Sequence, residues 1–159
     1  MSKAFHHKQH AGFTMIEVIA TLVILAVVSA VVISRGTGTA ATDLQVEVDT
    51  LKGKLRYAQY LAMNDISPVK WGVQMNGTSY TLVKNTSGDG VTFTQPYNLP
   101  NESSAAHSIA PFSATSVNIL FDEWGIPYNA AAKLAAAAVI TVNPGNQTVT
   151  ITPETGFIP

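Results

Sequence analysis

The sequence contains no cysteine and few charged residues. Of its 159 residues, 12% are charged and 47% are hydrophobic, which is more apolar than a typical soluble domain. Because no disulfide can form, the fold must be stabilised by packing alone. The formal net charge of −1 argues against binding nucleic acid through charge. The length allows one domain and an additional segment, but not two full domains.

Residues suited to catalysis are also scarce. His107 is the single histidine outside residues 1–12, and it lies in a Ser- and Ala-rich stretch where we expect it to be solvated. The other histidines, His6, His7 and His10, belong to a short basic segment and are expected to add charge there. No His-Asp-Ser order, paired acid set or Gly-rich phosphate loop stands out. We therefore predict a protein that is not an enzyme and has no catalytic residues, metal site or cofactor.

The hydrophobic residues are concentrated near the N-terminus. Residues 13–33 read FTMIEVIATLVILAVVSAVVI, and Glu17 is their only charged residue. At about 1.5 Å per residue, a helix of this length spans roughly 30 Å, the thickness of the hydrocarbon core of a bilayer. We predict a membrane-spanning helix. Lys3 and Lys8 precede it, which favours a cytoplasmic N-terminus and an exported remainder.

Behind this span the sequence predicts more helix and then a sheet. Residues 34–65 begin with a glycine-containing stretch where we expect a kink. An apolar stripe with spacings of three and four follows. It consists of Leu44, Val48, Leu51, Leu55, Ala58 and Ala62. Residues 66–159 are predicted to form a β-rich globular domain, so the fold class is α+β, with the stripe packed on a mainly antiparallel sheet.

Turn signals locate the strands of this domain. Asn76-Gly77 and Pro144-Gly145 each separate two alternating or β-branched runs. The predicted strands are residues 70–76, 79–84, 91–94, 117–121, 139–143 and 147–152. Residues 95–116, rich in Pro, Asn, Ser and Ala, are predicted to form a long surface loop. Residues 130–138 fit either a helical turn or a loop.

The junction Gly12-Phe13-Thr14-Met15-Ile16-Glu17 places a carboxylate in the first turns of an apolar helix. A charge at such a position is costly and calls for a partner or a function. Cleavage after Gly12 would create a partner, because the new α-amine of Phe13 is positive and about one helical turn from Glu17. Between staggered subunits the two groups could pair in a dry interior, where an ion pair is strongest.

This arrangement of a basic leader, a glycine, Phe-Thr-Met-Ile-Glu and an apolar helix resembles type IV prepilins and type II secretion pseudopilins. The resemblance implies the pilin fold and cleavage between Gly12 and Phe13 by a prepilin peptidase. It also implies N-methylation of Phe13 and a role for Glu17 in docking onto the neighbouring subunit. The implied partners are other pilin or pseudopilin subunits and the inner-membrane assembly platform. The implied location is the bacterial inner membrane, with a periplasmic C-terminal domain, and then a pilus or pseudopilus.

Other segments are similar to the minor pilins of the H-type pseudopilin and fimbrial T-type group. They are residues 55–63, LRYAQYLAM, residues 117–121, VNILF, and the closing residues 151–157, ITPETGF. The lack of cysteine excludes the C-terminal disulfide loop that many major pilins carry, and residues 34–38 replace the proline found there in many of them. The resemblance therefore implies a minor, tip-proximal subunit.

Residues 121–128, FDEWGIPY, resemble a run in major pseudopilins that lies beside a calcium-binding loop. Here Glu123 replaces a proline, and two adjacent carboxylates fall short of the about six or more oxygens that calcium takes. We therefore expect a structural turn in which Trp124 and Tyr128 cover the edge of the sheet.

Two other functions stay open alongside the filament subunit. One is an uncleaved, single-pass anchored domain in which Gly12-Phe13 occurs by chance and Glu17 is tolerated. The other is a DNA-uptake pilin, because fimbrial T-type relatives include such proteins. The lysines beyond residue 68 do not cluster as a phosphate backbone requires, so we do not expect this chain to bind nucleic acid.

Overall fold

The computed structural model describes residues 13–66, 68–87, 95–100, 102–129 and 132–159, and for residues 32–39 it describes the backbone alone. The chain divides into two compact units between Ala40 and Ala41. In the first unit, the described residues form the N-terminal part of a long helix. The second unit contains the remainder of this helix and the strands.

Helix α1 runs from Met15 to Asn64. Thr14 precedes it, and its hydroxyl accepts a hydrogen bond from the backbone N–H of Glu17 over 3.4 Å, as an N-cap residue does. The backbone is helical throughout residues 34–39. The glycine-containing stretch therefore does not end the helix, and the kink predicted there stays a prediction.

The apolar stripe of α1 forms one wall of the core. All of its residues are buried, with exposed fractions between 0% and 7%. They are Leu44, Val48, Leu51, Leu55, Ala58 and Ala62. Spacings of three and four keep these side chains on one side of the helix, and the predicted packing of this face is confirmed.

The described strands belong to two sheets. They are β1 Lys70–Met75, β2 Ser79–Asn85, β3 Gln95–Pro96, β4 Ala106–Ser108, β5 Ser113–Ala114, β6 Asn118–Phe121, β7 Pro127–Asn129, β8 Ala132–Lys133, β9 Ala138–Asn143 and β10 Gln147–Ile151. The larger sheet has the order β3-β2-β1-β6-β7-β8, with β4 also paired to β2. The smaller sheet has the order β10-β9-β5. Each described pairing is antiparallel, and the predicted α+β class is confirmed.

The two predicted hairpins are present. In the first, the N–H of Asn76 donates to the carbonyl of Ser79 over 2.8 Å, and Gly77 has a φ of 67°. Glycine adopts this left-handed conformation without the steric cost that a side chain adds. In the second, β9 and β10 pair from Val142 with Gln147 to Ala138 with Ile151.

The prediction of a surface loop over residues 95–116 is wrong in part. This stretch contains β3, β4 and β5, and it buries Ile109 and Phe112, which are 2% and 8% exposed. Residues 132–133, within the ambiguous alanine-rich run, form β8. The strand predicted at residues 91–94 lies outside the described residues.

Candidate functional site

The site that the sequence predicts lies at the start of α1. Phe13 and Thr14 precede the helix, and the side chain of Phe13 is 84% exposed. Glu17 is in the first turn, where its N–H donates to the carbonyl of Thr14 over 3.0 Å. Gly12, on the other side of the predicted cut, lies outside the described residues.

The helix supplies a local reason for Glu17 that the sequence interpretation did not consider. Thr14 and Glu17 have the Ser/Thr-x-x-Glu spacing of a capping box. A carboxylate in the first turn also interacts favourably with the helix dipole, by about 0.3–1 kcal/mol at an exposed position. This gain is smaller than the cost of a charge among apolar groups. Capping alone therefore does not favour Glu17 once the helix is covered.

Apolar side chains surround the first part of α1. Every residue from 13 to 31 is exposed. The large apolar side chains among them are Phe13, Met15, Ile16, Val18, Ile19, Leu22, Val23, Ile24, Leu25, Val27, Val28 and Val31. Leu22, Val23, Ile24 and Leu25 alone occupy consecutive positions around one full turn. A helix that is apolar on all sides needs other molecules to cover it.

Counted over the residues that the structure describes, no helix has the length and apolar character required to cross a membrane.

Two of the segments that resemble minor pilins meet in the second unit. On α1, the side-chain amide of Gln59 donates to the carbonyls of Gly125 and Thr155, both over 3.0 Å. One turn earlier, the guanidinium of Arg56 donates to the carbonyl of Ile158 over 2.9 Å and 3.3 Å. This part of α1 therefore holds both the C-terminal segment and the turn that follows β6.

Asp122 shapes that turn. Its Oδ1 accepts hydrogen bonds from the backbone N–H groups of Trp124, over 3.0 Å, and Ile126, over 2.8 Å. Gly125 has a positive φ of 75°. Oδ1 of this carboxylate is thus engaged by two donors of the turn. Within the described residues, no group of three or more His, Asp or Glu side chains could hold a metal ion.

The prediction that Trp124 covers the edge of the sheet is wrong. Its side chain is 77% exposed, whereas Tyr128 is half-buried in β7. Burial, followed by the neighbouring carboxylate of Asp122, raises the pKa of Tyr128. The turn is held by hydrogen bonds to Asp122, and it presents its tryptophan outward.

The prediction that His107 is solvated is correct only in part, because its side chain is 38% exposed but also contacts α1. Its Nε2 lies 2.9 Å from Oε1 of Glu47, and its ring centroid lies 4.8 Å from that of Tyr80. Nearby, Lys54 forms an ion pair with Glu102, and this hydrogen bond lowers the pKa of Glu102. These contacts join α1 to the β4 region, and we assign them to stability.

Tyr80 has an unusual place in this cluster. Its side chain is 1% exposed, and its hydroxyl has no hydrogen-bond partner among the described residues. Burial, and then the charges of Glu47 and Glu102, raise the pKa of Tyr80. The hydroxyl is therefore held in its neutral form.

A second polar cluster closes the end of α1. Oδ2 of Asp65 accepts hydrogen bonds from the ammonium of Lys84 and from the indole of Trp71, both over 2.8 Å. These hydrogen bonds, with that from Lys84 the strongest influence, lower the pKa of Asp65 to about 2. Nζ of Lys84 also lies 4.9 Å from the ring centroid of Trp71. The cluster connects the end of α1 to β1 and β2.

Comparison with known proteins supplies one match. Residues 7–33 match the family described as the prokaryotic N-terminal methylation motif. No curated protein and no solved structure matches the chain. The matched segment includes the predicted cut, Glu17 and the apolar residues that follow, and proteins with this motif are structural rather than enzymatic. Residues 7–33 therefore carry the prokaryotic N-terminal methylation motif, which indicates a type IV pilin-like protein or pseudopilin.

Proposed function

We propose that this chain is a structural subunit of a type IV pilus or a type II secretion pseudopilus. It is made as a precursor and cleaved between Gly12 and Phe13 by a prepilin peptidase. The observation that carries the proposal is the match of residues 7–33 to the methylation motif. The apolar, exposed first part of α1 supports it, since such a surface suits a subunit that is covered by lipid and later by other subunits.

The precursor is anchored in the inner membrane by residues 13–33, with its N-terminus in the cytoplasm and its C-terminal unit in the periplasm. Cleavage releases residues 1–12, and the new amine of Phe13 is methylated. The assembly platform then moves the subunit into the filament. The apolar run supports the anchor, and the lysines that precede it support this orientation.

We assign Glu17 to docking between subunits. Its carboxylate is exposed in the first turn of α1, in the part of the helix that other subunits would cover. There it would face the amine of a neighbour's Phe13, and both charges would be matched in a dry environment. Cleavage is required for this pairing because the precursor has a peptide nitrogen at Phe13.

Within a filament, we place the subunit among the minor, tip-proximal components. The support is the similarity of residues 55–63 and 151–157 to the H-type and fimbrial T-type group. Gln59 and Thr155 contact each other within these segments, so both similarities concern one part of the second unit.

The experiment is to express the full chain with and without a prepilin peptidase and to determine the intact mass and the N-terminal sequence. We expect the loss of 12 residues and the added mass of one methyl group. Gly12→Val should block cleavage. Gly53→Ala is the matched control, because a methyl group at that exposed helical position meets no neighbouring atom.

A mature N-terminus other than methylated Phe13 would contradict the proposal. The docking role has a separate test, in which Glu17→Gln is cleaved normally but is lost from sheared filaments. Asp43→Asn, a change at an exposed acid on the same helix, should be incorporated like the wild type. Normal incorporation of Glu17→Gln would remove Glu17 from the proposed assembly contact.

A further inference from the structure

Four of the large apolar side chains exposed on the second unit lie near one contact of α1 with two turns, and we name them together the aromatic face. They are Tyr60, Met63, Trp124 and Phe157, which are 60%, 56%, 77% and 61% exposed. A single exposed apolar residue is common on protein surfaces. Contiguous sets of this kind mark interaction sites, and Trp, Tyr, Phe and Met are the residue types enriched at interfaces.

The residues of the aromatic face lie together because two turns are attached to the same part of α1. Gln59 donates to the carbonyl of Gly125, which follows Trp124, and to that of Thr155, two residues before Phe157. The sulfur of Met63 lies 3.3 Å from the point that a Cβ of Gly125 would occupy. Tyr60 is three residues before Met63 on the helix and therefore its surface neighbour.

Two of the three exposed aromatic rings, those of Trp124 and Phe157, are carried by turns with dense internal hydrogen bonding. Trp124 lies in the turn that Asp122 caps through two backbone N–H groups. The N–H of Phe157 donates to the hydroxyl of Thr152 over 2.9 Å, and the N–H of Thr152 donates to the carbonyl of Phe157 over 3.0 Å. The backbone under both rings is thus ordered before any partner binds, which lowers the entropic cost of association.

Each of these turns also carries a carboxylate. Glu123 directly precedes Trp124, and Glu154 lies three residues before Phe157. Among the described residues, neither carboxylate belongs to an ion pair. A tryptophan face beside a carboxylate favours a lysine or arginine side chain, through cation–π attraction and a charge-assisted hydrogen bond. The surface therefore suits a cationic partner.

The second unit is acidic overall, since residues 41–159 contain nine Asp or Glu and six Lys or Arg, and three of these cations are already engaged. Arg56, which is next to this surface, already donates to the carbonyl of Ile158. Lys54 is paired with Glu102. Lys84 is likewise paired with Asp65. A partner with a different sequence fits the charge of this surface better than a second copy does.

We propose that the aromatic face docks a different pilin-like subunit, which presents a lysine or arginine beside aliphatic side chains. The inference rests on the proposed function, because a filament subunit meets other subunits as its permanent neighbours. Trp124 is the anchor of the contact, and Glu123 and Glu154 select the basic partner.

The experiment is photo-crosslinking of the full chain in its own host, with p-benzoylphenylalanine in place of Trp124. The control places the same probe at Val139 in β9, which is 51% exposed and lies on the other sheet. In the chain with the probe at position 124, Trp71 is the one tryptophan left of the two, and its fluorescence reports folding. We expect the Trp124 probe, but not the Val139 probe, to form an adduct with a second protein that has its own N-terminal methylation motif.

Charge reversal in the probe-bearing chain tests the nature of the partner. We expect Glu123→Lys with Glu154→Lys to reduce the adduct about tenfold, which corresponds to about 1.4 kcal/mol of binding free energy. Asp43→Lys, at an exposed position on α1, should leave the yield unchanged. If the yield of the adduct is unchanged when both glutamates are replaced by lysine, the inference that the partner is basic is wrong.

Three other outcomes would overturn the proposal. They are an adduct of two copies of the chain, equal adducts from both probe positions, and no adduct at all. Intact mass in the same samples separates this failure from that of the proposed function. A chain with methylated Phe13 at its N-terminus but no adduct refutes only the docking surface, whereas an uncleaved chain refutes the filament subunit itself.

Discussion

The two parts of α1 have the same helical backbone but opposite patterns of side chains. Residues 15–31, which we name the exposed half, have large apolar side chains on every side, and all are exposed. Residues 41–64, the striped half, bury one row of apolar residues, among them Leu51 and Leu55 at 2% and 0% exposure. A stripe is what a helix needs to pack on one sheet, whereas apolar residues on all sides require cover on all sides.

The comparison indicates that the side-chain patterns of the two parts of α1 determine two different kinds of packing. The striped half specifies packing within the chain, and its loss should unfold the second unit. The exposed half specifies packing with other molecules, and substitutions there should leave the stability of the second unit unchanged. The following predictions test this separation with the full chain in mild detergent.

Leu55→Ala has the largest expected effect. Leu55 is fully buried in the core of the second unit, so its truncation leaves a cavity and should lower the free energy of unfolding by about 2–5 kcal/mol. Urea denaturation followed by near-ultraviolet circular dichroism provides the measurement. Leu25→Ala, at a position that is 61% exposed, is the matched control. Equal losses from both variants would break the comparison.

Gln59→Ala should have the next largest effect. Its amide donates to the carbonyls of Gly125 and Thr155, and loss of both bonds should cost about 1–2 kcal/mol. Thr21 is the control in the exposed half, since its hydroxyl bonds only the helical carbonyl of Val18 among the described contacts. We expect Thr21→Ala to change the stability of the second unit by less than about 0.5 kcal/mol. The same urea denaturation assay measures the change in stability for both variants.

Asp65→Asn should reduce the change in the free energy of unfolding that occurs as the pH falls into the acid range. The pKa of Asp65 is lowered to about 2 in the folded state by Lys84 and then Trp71, against about 3.9 in the unfolded chain. Its contribution is therefore complete above about pH 4 and is lost as pH falls towards the folded pKa. Because the Asp65 side chain is 26% exposed, screening reduces the contribution to about 1 kcal/mol.

Urea midpoints measured between pH 7 and pH 2 test this prediction. The curves of the wild type and Asp65→Asn should differ at neutral pH and converge in acid. Lys84→Met should reduce the same dependence, because it removes the strongest influence on the pKa of Asp65. A constant difference between wild type and Asp65→Asn across the whole range would assign the effect of the substitution to packing instead.

Tyr80→Phe has the smallest expected effect and the opposite sign. The hydroxyl of Tyr80 is buried and has no partner among the described residues, so its removal sacrifices no hydrogen bond. We expect the free energy of unfolding to stay the same or to rise by up to about 1 kcal/mol. A loss of more than this would show that the hydroxyl has a hydrogen-bond partner in solution.

The strongly periodic parts of the fold were predictable from the sequence. The stripe of α1 was predicted because spacings of three and four extend over several turns. Asn76-Gly77 and Pro144-Gly145 revealed both hairpins, since their backbone requirements are local. β4 and β5 were missed because two or three residues are too few for a periodic pattern, and their pairing partners are distant in the chain.

The site shows the same division between local and distant information. Glu17 was identified from its charge within an apolar run, although the capping pattern from Thr14 was equally readable and was missed. The contact of Gln59 with Thr155 was not predictable, because it joins residues 96 positions apart. The exposure of Trp124 was predicted wrongly for a related reason. The direction of its ring depends on how Asp122 and Gly125 close the turn.

The cap at Thr14 has a consequence for the chemistry at the N-terminus. α1 begins at Met15, so Phe13 lies ahead of the first helical residue. An enzyme that cuts or methylates at the nitrogen of Phe13, as proposed above, would reach its target without unfolding a turn of α1. The hydroxyl of Thr14 thus marks the boundary between Phe13 and the first turn of α1.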